Sequence, residues 1–319
     1  MRPSAKPGPL KLSEPFDIVK FGEEPTPPSL VYKYLSPDRV TDVLENQTVR
    51  FMRLLDTNDS FEVRATFRRF AGPRFIKLME DFVTEKTTEA HVDKALARKL
   101  REIGMGSLPP VMAKVLFKKK FGKDLSAYMK DEMKARLPAL TETLNAFKTP
   151  EDFLNELGSS LLCFSLSETY TSAPMWAHYA VNHTGFVLEF DAAHSWFQHN
   201  KDKQRSLLRQ VKYVDGQLDE ALDDPHAAFG SKTLDWAYEK EWRVYCGFEQ
   251  VEKTVGSVSD PIHLKSFPAE AVASIIIGHR ATDATVAAIK AIAQDKYAHC
   301  KLLKARANRT THSFDLTPL

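Results

Sequence analysis

Hydrophobic and polar positions follow two rhythms along this chain. Short stretches of strand length are mostly apolar or alternate: Leu30-Val31-Tyr32-Lys33-Tyr34, Thr48-Val49-Arg50-Phe51, Leu161-Leu162-Cys163-Phe164-Ser165, Thr184 to Phe190, Gln210 to Val214 and Glu241 to Phe248. Stretches of this kind, bounded by turn residues, predict strands. Further strands are expected at Pro261 to Lys265, at Ser274 to Gly278 and after Cys300, with a helix from about Asp283 to Gln294 between the last two. Near the start, Ser36-Pro37-Asp38 opens a short helix that ends near Asn46.

From about residue 64 to 158 the rhythm lengthens to three and four. Phe75, Met79 and Phe82 form one stripe, and Val92, Leu96, Leu100 and Ile103 form another. Met133, Leu137, Leu140, Leu144 and Phe147 form a third, in which Pro138 is expected to kink or start the helix. Thr149-Pro150 then caps a helix that closes at Gly158. Strand clusters separated from helix clusters predict an α+β fold with a mixed, mainly antiparallel sheet core. The organisation expected is one domain over 30–319 with a helical insertion at about 64–158, preceded by a proline-bearing extended or disordered arm over 1–29.

Composition changes this picture little but excludes several functions. At 319 residues and 43% hydrophobic content the chain can bury a large core. A net charge of +2, from 44 basic and 42 acidic residues, leaves any electrostatic specificity to local clusters. Cys163, Cys246 and Cys300 lie far apart, which disfavours a disulfide scaffold and a thiolate zinc site and fits a reducing cytosol. No apolar run approaches the ~20 residues of a membrane span, and Met1 to Pro7 lacks the apolar core of a signal peptide, so a cytoplasmic protein without membrane partners is expected. Glycine-rich phosphate loops, a nucleophile elbow and His-Glu-x-x-His are missing. His178 and His183 would diverge on a helix, so no metal site is expected.

Candidate chemistry concentrates in Trp236-Ala237-Tyr238-Glu239-Lys240-Glu241-Trp242-Arg243. In a strand, Glu239, Glu241 and Arg243 point one way while Lys240 and Trp242 point the other. Walled by Trp236, Tyr238 and Trp242, such a cluster suits a cationic or sugar-phosphate ligand, and it equally suits an ion-pair ladder at a sheet edge. Upstream, Trp176 and Tyr179 would share a helical face with His183 one turn on, either as a wall for a planar heterocycle or as plain core. Ser165 and Ser167 alternate onto one strand face. Asn58, Asp59 and Glu62 surround a turn that either caps a helix or braces the floor of a pocket. Lys118, Lys119 and Lys120, with Lys114 and Lys123, form a phosphate-binding face or a solvated one.

Read in order, the blocks at Val31 to Tyr34, Asn58 to Glu62, Cys163 to Ser165, Trp176 to Gly185 and Glu239 to Arg243 resemble the bacterial domain of unknown function 2971 family over about residues 30 to 280. Ser60 departs from that pattern, where the family usually carries proline. The motif order is also similar to that of divergent ADP-ribosyltransferases, in which a basic first-strand residue, a serine strand and a late Glu-x-Glu make the NAD site. That resemblance implies a split sheet, NAD as co-substrate, and ADP-ribosyltransferase or NAD glycohydrolase activity in a toxin or phage-defence setting. It implies that Glu241 binds the nicotinamide ribose hydroxyl and stabilises the oxocarbenium-like transition state, while Glu239 orients the acceptor. Lys33 and Arg243 would hold the pyrophosphate, and Trp176 or Tyr179 would stack on the nicotinamide. Tyr34 and Ser165 complete the cofactor set, with Asn58, Asp59, Glu62 and His183 in support. The acceptor stays open among protein, nucleic acid, small molecule and water. From the residues alone, two other functions stand beside this one: a non-catalytic nucleotide- or protein-binding module, and a nucleic-acid-processing protein.

Overall fold

The computed structural model describes residues 25–58, 67–69, 71–147, 158–159, 161–198, 206–216, 218–220 and 230–319. Its strands are β1 (Leu30–Leu35), β2 (Thr48–Arg53), β3 (Phe67–Arg69), β4 (Leu161–Ser167), β5 (Phe186–Asp191), β6 (Leu208–Gln210), β7 (Lys212–Val214) and β8 (Leu218–Glu220). They continue with β9 (Ser231–Thr233), β10 (Glu241–Gly247), β11 (Lys253–Gly256), β12 (Pro261–Ser266), β13 (Val272–Ile277), β14 (Lys301–Asn308) and β15 (Ser313–Pro318). The helices are α1 (Pro73–Lys86), α2 (Glu89–Glu102), α3 (Pro110–Phe121), α4 (Leu125–Phe147), α5 (Ala173–His178) and α6 (Asp283–Lys296). The chain divides into two units: Met1–Thr66 with Phe153–Gln217 and Pro225–Leu319, and Phe67–Asp152 with Leu218–Asp224.

The first unit is built on a sheet whose order is β11-β12-β2-β4-β1-β5-β13-β14-β15, with β10 and β6 joined through β4. Every pairing in it is antiparallel except β13 with β14, which α6 connects as a crossover. The α+β class and the mixed, mainly antiparallel core read from the sequence are therefore found. The stretch expected as one strand from Gln210 to Val214 is instead two short strands in different sheets, β6 against β10 and β7 against β9.

A fork at β4 organises the unit. Along one edge β4 pairs with β10 over its whole length, from Leu161↔Gly247 to Ser167↔Glu241. Its other edge is shared. β2 meets it at Met52↔Cys163 and Arg53↔Leu162, whereas β1 meets it at Tyr32↔Ser167 and otherwise follows β5 through all six of its residues. Between those two contacts the edge of β4 at residues 164–166 faces a gap.

Alternation sorts the two faces of the sheet. Val49, Phe51, Leu162, Phe164, Leu166, Trp242 and Val244 enter the main core. Their sequence neighbours turn to the opposite face, where Tyr32, Tyr34, Met175, Trp176, Val187 and Phe314 form a second apolar cluster. The connections are tight there: a Cβ on Gly185 would lie 2.0 Å from the Leu35 carbonyl oxygen, so only glycine fits.

α5 begins with the Ser172 side chain accepting from Met175 N and stops at His178. Val181, Asn182 and His183 then take φ values of 46°, 52° and 70°. Left-handed backbone at three successive residues ends any helix, so the common helical face expected for Trp176, Tyr179 and His183 is not formed.

The second unit contains α1 to α4 and the short parallel pair of β3 with β8. Val92, Leu100 and Leu137 are buried as their stripes predict, while Phe82, Ile103, Met133 and Leu140 are exposed. Pro138 neither starts nor ends α4, which runs through it from Leu125. Residues 148–157, which hold most of the expected helix after Thr149, lie outside the described residues, as does the arm up to residue 24. Among the described residues no helix is long and apolar enough to cross a membrane.

Candidate functional site

Polar side chains gather where the fork opens. The face of β4 and β10 that carries Ser165, Ser167 and Glu241 meets β2 through Arg50 and Met52, and together with Tyr32, Tyr34 and Tyr179 these residues line a cavity of about 180 Å³. Lys33, Asn58, Lys232 and Glu239 complete its polar wall.

Two carboxylates and two cations form the buried base of this wall. Lys232 Nζ lies 2.6 Å from Glu239 Oε2 and 2.8 Å from Glu241 Oε2, and all three side chains are at most 4% exposed. Arg243, fully buried, donates from Nε to Glu241 Oε1 at 2.7 Å and from Nη2 to Glu241 Oε2 at 2.9 Å. Tyr179 donates its hydroxyl to Glu239 Oε1 at 2.5 Å, and Asn58 Nδ2 donates both to that hydroxyl and to Glu239 Oε1. Asn58 Oδ1 accepts from Lys232 at 3.1 Å, which closes the network. All four carboxylate oxygens thus receive a donor. This is how a buried charge cluster escapes the cost of desolvation.

Local backbone explains why both glutamates reach one lysine. Leu234–Glu239 is a 3-10 turn, and Lys240 follows it in the left-handed region at φ 45°, ψ 55°. That conformation costs a non-glycine residue about 1–2 kcal/mol. It sends Lys240 out towards Glu168 while Glu239 and Glu241 stay inside. The Ser167 hydroxyl fixes the turn by donating to the Glu239 carbonyl at 2.7 Å, and the Glu241 N–H donates to the Tyr213 hydroxyl at 2.8 Å.

Burial and charge shift the titrations in the wall. Burial alone would raise the Glu241 carboxyl, but Arg243 and Lys232 outweigh it and bring it down to about 2, so Glu241 is an anion at neutral pH. Tyr179 is pushed well above the ordinary tyrosine value, first by burial and then by its hydrogen bond to Glu239. Burial lowers Lys33 to about 8 against the pull of Glu241 and Glu239. Its Nζ donates to the Ser165 carbonyl at 2.8 Å and sits 4.9 Å from the Phe164 ring centre, so it reaches into the gap between β1 and β4. Tyr34 donates its hydroxyl to the Thr169 carbonyl at 2.9 Å.

Of the residues expected at the site, Lys33, Tyr34, Asn58, Ser165, Tyr179, Glu239 and Glu241 line the cavity. Arg243 backs it from behind Glu241. Trp176 and His183 are elsewhere: Trp176 is fully buried, donates to the Tyr170 carbonyl at 2.7 Å and stacks on His183 at 5.9 Å. Trp236, Tyr238 and Trp242, expected as walls, do not face the cavity either. Trp242 belongs to the main core, Trp236 lies 5.5 Å from Lys232 Nζ, and Tyr238 meets His178. Asp59 and Glu62 lie outside the described residues. Sequence reasoning missed Lys232 and Arg50. The one available signal for Lys232 was indirect, since two glutamates held inside a fold require a cation.

The family described as Protein of unknown function (DUF2971) matches residues 175–244, so the resemblance seen in the sequence is found over that stretch. It takes in Tyr179, Lys232, Glu239, Glu241 and Arg243. No curated protein and no solved structure matches the chain.

Proposed function

We propose that the cavity takes NAD as substrate and that the protein cleaves its nicotinamide–ribose bond, as an ADP-ribosyltransferase or an NAD glycohydrolase. The observation that carries this reading is the placement of Glu239 and Glu241 together in the wall of one cavity, with Glu241 held as an anion by Arg243 and Lys232. Loss of nicotinamide moves positive charge onto the ribose, and a fixed carboxylate beside it lowers the barrier electrostatically. With a pKa brought down to about 2, Glu241 is unsuited to donate a proton and suited to that electrostatic role. Each carboxylate oxygen accepts more than one hydrogen bond, so Glu241 Oε1, with Arg243 Nε on one side, can still receive a ribose hydroxyl. Tyr32, Tyr34 and Tyr179 supply aromatic surface for the ring. The volume of about 180 Å³ is below the ~300–1,000 Å³ of a drug-sized site, so only part of the dinucleotide would lie within it.

A second reading, a nucleotide-binding module without turnover, is favoured by the donors already on all four carboxylate oxygens. The test is nicotinamide release from NAD by wild type and by Glu241→Gln and Glu239→Gln, with and without cell extract as acceptor, alongside melting curves. We expect release by wild type, reduced at least a hundredfold in Glu241→Gln, in line with the ~3–4 kcal/mol of one such contact. Saturable binding without release in wild type supports the module instead. Neither binding nor release removes both.

A further inference from the structure

Among the described residues, the cavity holds more positive charge than its carboxylates neutralise. Lys33, Arg50 and Lys232 line it, with Arg243 directly behind, against Glu239 and Glu241. Lys232 is engaged by both glutamates and Arg243 by Glu241. The two remaining cations are differently placed. Arg50 Nε is buried with no hydrogen-bond partner among the described residues. The described contacts of Lys33 Nζ are a backbone carbonyl and the Phe164 ring, neither of which carries a countercharge. A buried donor without a partner is costly, and native structures keep few of them without a reason.

Strand geometry brings the pair to one place. Phe51 and Val49 enter the core, so Arg50 and Met52 turn to the cavity face of β2, and Met52 pairs with Cys163 on β4. Lys33 alternates with Val31 and Leu35 onto the core face of β1, and its long side chain reaches the gap from that side, past the Phe164 ring to the Ser165 carbonyl. The fork is thus flanked by a guanidinium from one strand and an ammonium from another.

We infer that Arg50 joins Lys33, to which the resemblance already gives this role, in a subsite for the pyrophosphate of a nucleotide diphosphate diester. Among the described residues the surplus of two positive charges matches the two negative charges of such a diester, and a guanidinium fork with an unpaired Nε suits phosphate oxygens. Arg50 thereby takes the role that the sequence offered to Arg243, whose guanidinium is fully buried on Glu241. The inference deepens the reading of the preceding subsection and rests on it for the choice of a dinucleotide, but the subsite is tested without turnover.

The experiment is calorimetric titration of the full chain at fixed ionic strength, using ADP-ribose, inorganic pyrophosphate and nicotinamide riboside. Wild type, Arg50→Met, Arg50→Lys and Lys33→Met are compared, with melting curves to establish folding. ADP-ribose and pyrophosphate should bind wild type saturably, and Arg50→Met should weaken ADP-ribose about tenfold or more. Arg50→Lys, which keeps the charge and loses the fork, should fall between and serves as the deciding variant if Arg50→Met does not fold. Riboside binding should not weaken. Unaltered ADP-ribose affinity in a folded Arg50 variant, or no binding of pyrophosphate and ADP-ribose to wild type, overturns the subsite. Arg50-dependent ADP-ribose binding without nicotinamide release removes the cleavage reading and leaves the subsite, whereas release that is indifferent to Arg50 does the reverse.

Discussion

Lys232–Glu239 in the first unit and Lys114–Asp93 in the second are nearly equal in length, at 2.6 Å and 2.8 Å. Their surroundings differ. The first pair is 3% and 4% exposed and shares its lysine with Glu241, while the second is 24% and 40% exposed on the helical unit. Distance alone would rank them together, yet water separates them. In the helical unit Lys118 with Asp124 and Lys123 with Asp131 are also solvated pairs, each side chain at least 60% exposed, and such contacts contribute little. In the sheet unit the charges have left water, so each depends on its partners and removing one strands the others. Burial, more than proximity, makes a charge cluster a candidate for chemistry.

The largest effect should come from Lys232→Met, which leaves Glu239 without its ion pair and Glu241 with Arg243 alone. A loss of about 3–5 kcal/mol in urea unfolding is expected. A loss below about 1 kcal/mol would erase the distinction between the two regions.

Next in size is the response to acid. The Glu241 carboxyl drops from 4.5 to about 2 on folding, so between those values the unfolded chain binds more protons than the folded one. Its contribution is complete above about pH 4.5 and is lost as pH falls towards 2. Urea midpoints measured across this window should fall less steeply in Glu241→Gln than in wild type, and equal slopes would mean that Glu241 is not the group responsible.

Lys114→Met should have the smallest effect, with a urea midpoint close to that of wild type, because both side chains of the pair it breaks keep contact with water. A cost matching that of Lys232→Met would show that the helical pair is also removed from water, and would blur the contrast.

Much of the fold was legible. Apolar or alternating stretches of strand length placed β1, β2, β4, β10, β12 and β13 within a few residues, since strands covered by apolar clusters on both faces keep few polar positions. Glu239 and Glu241 were legible as well, because two carboxylates beside an arginine in an apolar stretch demand an explanation. The aromatic wall was misread for a local reason: spacing of three implies a shared face only while the helix lasts, and α5 ends at His178. Tyr179 faces the cavity and Trp176 the core. Arg50 was missed because it and Arg243 both alternate onto the cavity side, and nothing along the chain says which one meets a carboxylate there.

By itself the sequence determined the main strands and helices and which carboxylates lie near one another, because periodicity and short separations act through neighbouring residues. Only the tertiary structure decided where β1 parts from β4, that Lys232 closes onto both glutamates, that Arg243 is taken, and that Arg50 and Lys33 flank the gap. Those outcomes depend on strand pairing between distant segments and on which charges lose their water, and neither quantity is a property of a residue and its neighbours.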